Sequence, residues 1–287
     1  MIPQGIHYNL GMKDYHGWKL DKSNLLNGPI SCSMLKAFYP NPYEWLKSPD
    51  FEPSEAMRIG SLYDLAVTDP KKLMSEVVVS PFDGFRTKES QEWKKTNIEN
   101  GHLIVNQDEL DQAISAAQAV KDHPVAGEIV KDAQMQVAVI GEIAGIPAKC
   151  LIDILPNKDG EYGETIFDYK TTSKGLDDES IRKTIGDYKY HHQAAYYRTL
   201  ANKVFTDRNF SQFGFIFQST KTHEIRVVIL SDDAMALGTR SVAQSVKEFV
   251  KAAHNGIESR YLTSSDAVDL MPYHAMNEDE QLNKIDA

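Results

Sequence analysis

The chain has 287 residues, 41% hydrophobic and 25% charged, which is ordinary for a globular protein and enough for one large core or two small ones. Its two cysteines, Cys32 and Cys150, exclude a disulfide scaffold and, within one chain, any four-cysteine zinc or iron–sulfur site. A net charge of −10 argues against a nucleic-acid coat protein, whose footprint is basic. Even so, a locally basic channel can coexist with an acidic exterior. No apolar run reaches the length of a membrane span, and Met1–Gly5 opens no basic-then-apolar stretch, so the expectation is a cytoplasmic chain with no membrane partner.

Residues 1–28 carry Tyr8, Tyr15 and Trp18 without a clear period and read as an irregular arm packed on the core or on a neighbouring subunit. Ser31 or Ser33 can cap a helix running to Leu46, interrupted by Pro40 and Pro42. A second helix is predicted from Glu52 to Val67, with Pro53 at its start and Asp69-Pro70 after its end. On it Ala56, Gly60 and Asp64 share one stripe, so small residues let a neighbouring backbone approach where Asp64 projects. Residues 80–101 read as a polar loop and short helix with Arg86, Lys88, Lys94 and Lys95 beside Trp93. That mixture fits a phosphate backbone and a stacked base as well as it fits a solvated charged helix. Gln107 to Lys131 is amphipathic and is predicted as a helix pair broken at Pro124.

The sheet begins at Gln134–Ile140, with Glu142 placed in a following hairpin turn. From Ile146 to Ile154 apolar residues alternate with Lys149, Leu151 and Asp153, the period of a strand. Asn157-Lys158-Asp159-Gly160 is turn chemistry, and Thr165 to Lys170 is again strand-like. On that second strand Asp168 and Lys170 share one face while Phe167 and Tyr169 take the other. Pairing of the two strands would bring Asp153 to the same place. Two carboxylates and a lysine at a strand end suit metal-assisted phosphodiester hydrolysis, because hard oxygen donors suit Mg²⁺ and an ammonium can hold the attacking water. A D-x-K triplet alone is weak, since Asp and Lys on a solvated strand face are common.

A helix around His191–Ala201 follows, with Lys189, Gln193 and Tyr197 on one stripe and Tyr196 and Leu200 on another that faces the core. His191 and His192 are adjacent, point apart, and read as packing or surface residues rather than a metal pair. Phe213–Gln218 and Glu224–Leu230 are predicted as a closing hairpin, and Asp232–His254 as a last amphipathic helix. Residues 1–262 are thus expected to form one domain, and 263–287 an acidic, mobile tail.

The order Asp153, then Asp168-Tyr169-Lys170-Thr171-Thr172, then Gln193-x-x-x-Tyr197 resembles the PDDEXK nuclease superfamily, and within it the RecE-like (exonuclease VIII) and RecB-like branch. Upstream strings extend the likeness: Ile30–Leu35, Asn41-Pro42, Ile59–Leu62, and Phe85–Lys88 with Trp93. The resemblance implies a restriction-endonuclease-like α/β core, a central mixed β-sheet flanked by helices. It implies metal held by Asp153, Asp168 and the Tyr169 carbonyl, with Lys170 completing the catalytic set and Gln193 and Tyr197 binding DNA or supporting the site. Arg86 and Lys88 fall on a basic string that recurs in the family. Asp64 stands where the family has a metal-binding histidine, and a carboxylate can replace imidazole on Mg²⁺ or Mn²⁺. Relatives often have glutamate where Gln136 falls, and an uncharged amide is not counted as a ligand.

In activity, the resemblance implies a Mg²⁺-dependent exonuclease on double-stranded DNA ends, with Mn²⁺ substituting and no iron–sulfur cluster. Such enzymes cut 5′→3′, leave 3′ overhangs for a single-strand annealing protein, and commonly form homo-oligomeric rings. The rival readings are an endonuclease or single-strand nuclease on the same fold, and a DNA-binding or assembly protein with an inactive nuclease fold.

Overall fold

The computed structural model describes residues 2–8, 10–49, 54–259, 261–262 and 267. Met1–Gly256 forms one compact unit, and the chain from Ile257 belongs to another. The expected acidic tail lies outside the described residues except for Ala267, as does the helix start expected at Pro53.

The N-terminal portion holds β1 (Gly5–His7), α1 (Met12–Gly17), α2 (Cys32–Phe38), α3 (Pro42–Lys47), α4 (Glu55–Thr68) and α5 (Pro70–Glu76). The break expected between Ser31 and Leu46 falls between α2 and α3. Ser31 Oγ caps the first by accepting from Met34 N–H, and Asn41 Oδ1 caps the second ahead of Pro42. Ser54 Oγ starts α4 in the same way. Next come β2 (Val77–Val79), α6 (Lys88–Glu99) and β3 (Leu103–Val105), in which β2 and β3 make a small parallel sheet. Then α7 (Gln107–Asp122) and α8 (Pro124–Val130) form the predicted helix pair, α7 opened by a reciprocal cap between Asn106 and Glu109.

The central sheet is built from β4 (Gln134–Ile143), β5 (Ile146–Leu155) and β6 (Thr165–Thr172), then α9 (Asp178–Asp187), α10 (Tyr190–Val204), β7 (Gln212–Ser219), β8 (Ile225–Ile229) and α11 (Asp232–Asn255). Its order is β1-β4-β5-β6-β7-β8, with β6 and β7 parallel and the other pairs antiparallel. This is a mixed α/β sheet between helical layers, the restriction-endonuclease-like architecture. The parallel pair requires a crossover, and α9 and α10 supply it.

One face of the sheet, through Ile154, Phe167, Tyr169 and Ile216, packs with Leu62, Tyr63, Ala66 and Val67 of α4 and the alanines of α7. On the other face α10 crosses β4, β5 and β7, with α2 and α11 behind it. A side chain at Gly141 would put its Cβ 2.7 Å from Val204 Cγ2, so glycine there lets α10 close on β4.

Two expectations change. The 1–28 arm is not irregular: β1 pairs with β4 through Ile6 and Val139, and Tyr15 is buried on the sheet. Glu142 lies in β4, not in the turn, which is made by Ala144 and Gly145 at φ 52° and 76°.

Candidate active site

Strands β5 and β6 pair only at Ile154–Phe167 and then part. The adjacent register positions are Asp153 and Asp168, so both carboxylates stand at the mouth of the fork. Separation leaves the Tyr169 N–H without a strand partner, and Asp153 Oδ2 accepts it at 3.2 Å. A strand residue directs N–H and C=O to the same edge, so the Tyr169 carbonyl also opens toward the fork. The edge of β5 that β6 vacates is occupied by Ile30. Its N–H donates to Pro147 O at 2.7 Å, and its carbonyl accepts from Lys149 N–H at 3.0 Å. Buried Tyr196 donates to the same Ile30 carbonyl at 2.9 Å. The fork is therefore held open by a wedge of main chain that continues directly into α2.

Asp64 reaches the fork from α4. Gln136 Nε2 donates to Asp64 Oδ2 at 3.1 Å and to Thr68 Oγ1 at 3.0 Å. The β4–β5 ladder skips the Gln136–Asp153 position, where Gln136 takes φ 53°. Gln136, Asp153 and Asp168 thus occupy equivalent positions on three neighbouring strands. Gln136 belongs to the site although its lack of charge had set it aside. Its hydrogen bond is long-range, and only the resemblance marked the position. Gly60 faces Thr171 of β6, but an added Cβ would stand at an ordinary 3.7 Å from Oγ1 and Ala56 is exposed, so the approach of α4 does not depend on the stripe of small residues.

Lys170 forms an ion pair with Asp168 Oδ2, and its ammonium lies 5.4 Å from the centre of the Tyr190 ring. Gln193, buried on α10, donates to Asp168 Oδ1 at 2.6 Å. Of the two roles expected for Gln193, supporting the site is the one this geometry serves, because its amide is directed at the carboxylate. Tyr197 is half-buried and packs edge-on against Phe213. Arg86 and Lys88 are exposed just before and at the start of α6, and nothing joins them to the carboxylates. The aromatic neighbour expected to stack on a base, Trp93, is stacked on Phe85 and meets Phe82 edge-on. His192 is buried with Nδ1 against Ser241 Oγ at 2.9 Å, in the packing role expected of it.

The electrostatics of the fork are those of too much negative charge. Burial pushes Asp64 up to about 7, with Lys170 opposing the rise and Asp168 adding to it. Burial, then the charges of Asp168 and Asp64, push Asp153 well above the ordinary carboxylate range. Burial works against the Lys170 ammonium, but Asp168 and Asp153 outweigh it and hold the pKa above that of an ordinary lysine. The two carboxylates thus favour the charged form of Lys170. Asp64 Oδ1 and Asp168 Oδ2 are both buried without a hydrogen bond, and only the Lys170 ion pair serves the second.

Among the described residues, no three acidic, histidine or cysteine side chains are already grouped so as to hold a metal ion. The donors nonetheless fit one in kind. They are hard oxygens, with Asp64 Oδ1 buried without a partner and the Lys170 ammonium paired to Asp168 among three carboxylates.

Residues 31–269 match the family described as a PDDEXK-like domain of unknown function (DUF3799). The chain belongs to that family. The crystal structure of a candidate exonuclease from Eubacterium rectale superposes on this PDDEXK-like chain with a TM-score of 0.60 at 18% identity, covering 94% of this chain and 98% of that one. At that identity the likeness concerns the fold alone. A second solved structure, SSO0001, aligns at 14% identity over 75% of this chain and 85% of its own, with a TM-score of 0.30, too low to argue from. A search of curated proteins gives no significant match.

Proposed function

We propose that this PDDEXK-like chain is a divalent-metal-dependent DNA exonuclease of the RecE type, working on the ends of linear duplexes. The observation that carries the reading is the buried oxygen of Asp64 that has no hydrogen bond, beside Asp153 and Asp168, in a fork where Lys170 is the ammonium paired with Asp168. A buried acceptor left unsatisfied costs about 1–3 kcal/mol, and more when charged, which supports the reading that this site takes a cation. Asp64, Asp153, Asp168 and the Tyr169 carbonyl would hold Mg²⁺, or Mn²⁺ in its place. When bound, the metal polarises a phosphate and lowers the pKa of water.

The chain's own residues do the rest. Gln193 fixes the rotamer of Asp168 through Oδ1, leaving Oδ2 toward the fork. Lys170, held in its charged form by Asp168 and Asp153, would donate to the attacking water and to the charge that builds on the phosphoryl oxygens. Tyr190 lies under that ammonium and limits where it can point. Asp153 is anchored by the Tyr169 N–H, so its second oxygen has a defined direction. The 5′→3′ polarity, ring assembly, annealing-protein partner and Mg²⁺ preference are carried over by resemblance to the RecE type.

The test is purified protein with Mg²⁺ on end-labelled linear duplex, closed circular duplex and single strand. Loss of label from the linear duplex far ahead of the other two is the expected result. No cleavage of any substrate with Mg²⁺ or Mn²⁺ would overturn the reading, and equal cutting of circles would replace it with an endonuclease.

A further inference from the structure

Beside the fork, a column of rings climbs from the sheet to solvent. Phe217 and Phe215 of β7 lie against Tyr190 at 6.2 and 5.4 Å between centres, the latter pair stacked. Tyr190 stacks in turn on Tyr188 at 5.5 Å with an interplanar angle of 21°. Tyr188 is 54% exposed, so the column ends in an open aromatic surface.

Between the two tyrosines, Lys189 adopts φ 51° and ψ 47°, a left-handed conformation that a side-chain-bearing residue enters rarely. That break between α9 and α10 puts the neighbouring rings on one stack, where a continuous helix would splay them. Lysines surround the column: Lys170 at 5.4 Å and Lys36 at 5.8 Å from the Tyr190 ring, and Lys174 at 5.4 Å from the Tyr188 ring. Lys36 also donates to the Tyr188 carbonyl at 3.1 Å, which ties α2 to the column. Among the described residues, the acid paired with these outer lysines is Asp187, 3.2 Å from Lys174.

We infer that Tyr188 is a stacking platform for an unpaired nucleobase next to the scissile phosphate, with Lys36 and Lys174 receiving the flanking phosphates. The ring is one aromatic step from the ammonium of the fork, so a strand entering the site must pass it. Bases within a duplex are already stacked on both sides. An open ring therefore selects a frayed end, an overhang or a single strand. Stacking on a protein ring tolerates any base, as an enzyme that works along a strand requires. The lysine cluster matters more because the protein as a whole carries a net charge of −10, so a local group of ammonium ions is what can draw a phosphate in. The inference rests on the nuclease reading for the identity of the polymer but not for its test.

The test measures binding without turnover. Fluorescence anisotropy in EDTA compares a labelled blunt duplex, the same duplex with a short single-stranded overhang, and a single strand. Tyr188→Ala should weaken overhang and single-strand binding by about 5- to 150-fold, leave the blunt duplex within about twofold, and keep the wild-type melting temperature. Tyr188→Trp should bind at least as well as wild type. Lys174→Glu should weaken binding and reduce the slope of log affinity against log salt by about one. Unchanged overhang affinity in Tyr188→Ala overturns the inference, as do equal losses on all three probes or no binding of any probe by the wild type. The nuclease reading fails separately, if the wild type binds the overhang but cuts nothing with Mg²⁺.

Discussion

Gln136→Glu tests the charge balance of the fork most directly. The change preserves size and shape but removes the donor that Gln136 offers to Asp64 Oδ2 at 3.1 Å, and sets a fourth carboxylate beside it. Losing a hydrogen bond to a charged group costs about 1.5–3 kcal/mol, and like-charge repulsion adds to that. Burial already pushes Asp64 up to about 7 and a carboxylate beside it raises it further, so the repulsion grows as pH rises above that value. A chain of this size loses about 2–4 °C of Tm per kcal/mol, so the apo variant should melt at least about 3–12 °C below wild type. Gln136→Leu loses the same donor without adding charge. Millimolar Mg²⁺ separates the two, since a ligand that binds only the folded state stabilises it. The glutamate variant should recover more Tm than wild type does, and the leucine variant no more than wild type. Differential scanning fluorimetry in EDTA and in Mg²⁺ reads both. A glutamate variant melting at the same temperature in each would refute the reasoning, because no cation would then be entering the fork.

Three further outcomes are expected. Asp153→Asn and Asp168→Asn should abolish cleavage while far-UV circular dichroism stays native; turnover near wild type in both at saturating Mg²⁺ would remove these residues from the site. Gln193→Ala should lower metal affinity or activity by about 10- to 100-fold, because Asp168 loses the donor that orients it, and a Mg²⁺ titration of rate would show which. Lys149 titrates outside the carboxylate cluster: burial, then Lys19, hold its pKa down at about 8. The unfolded chain therefore binds more protons between pH 8 and about 10.5, and stability lost to this group below pH 8 returns as pH rises through that window. Urea midpoints of wild type should gain on those of Lys149→Met from pH 8 to 10, and parallel curves would exclude the effect.

Much of the core was legible because its signals are local. Alternation from Ile146 to Ile154, the single residue separating Asp168 from Lys170, and helical spacing of Gln193 and Tyr197 each need only a few neighbours along the chain. What stayed hidden depends on distant partners. β1, β2 and β3 are three residues each, too short for a period, and exist because β4 or one another complete their ladders. Lys149 sits on the polar side of its strand in sequence yet is 7% exposed, because the N-terminal arm folds over that face. Gln136 enters the site through a left-handed residue and a hydrogen bond to α4, neither of which composition reveals. The stack from Tyr188 to Phe217 was equally out of reach, since it joins residues on two elements across a helix boundary.

The arm that covers β4 also determines what the protein would do without it. β4 is ten residues long and apolar over Val137–Ile140, and β1 shields it through Gly5, Ile6 and His7 alone. The arm is pinned a short way on by Lys149, whose ammonium donates to the carbonyls of Tyr15 and Trp18, the second at 2.6 Å. Proteolytic clipping after residue 28 would strip both partners at once. It would bare the apolar edge at Ala138–Ile140 and leave a buried cation without its acceptors. Unpaired edges of that kind recruit another strand, so the trimmed protein should self-associate edge to edge rather than unfold outright.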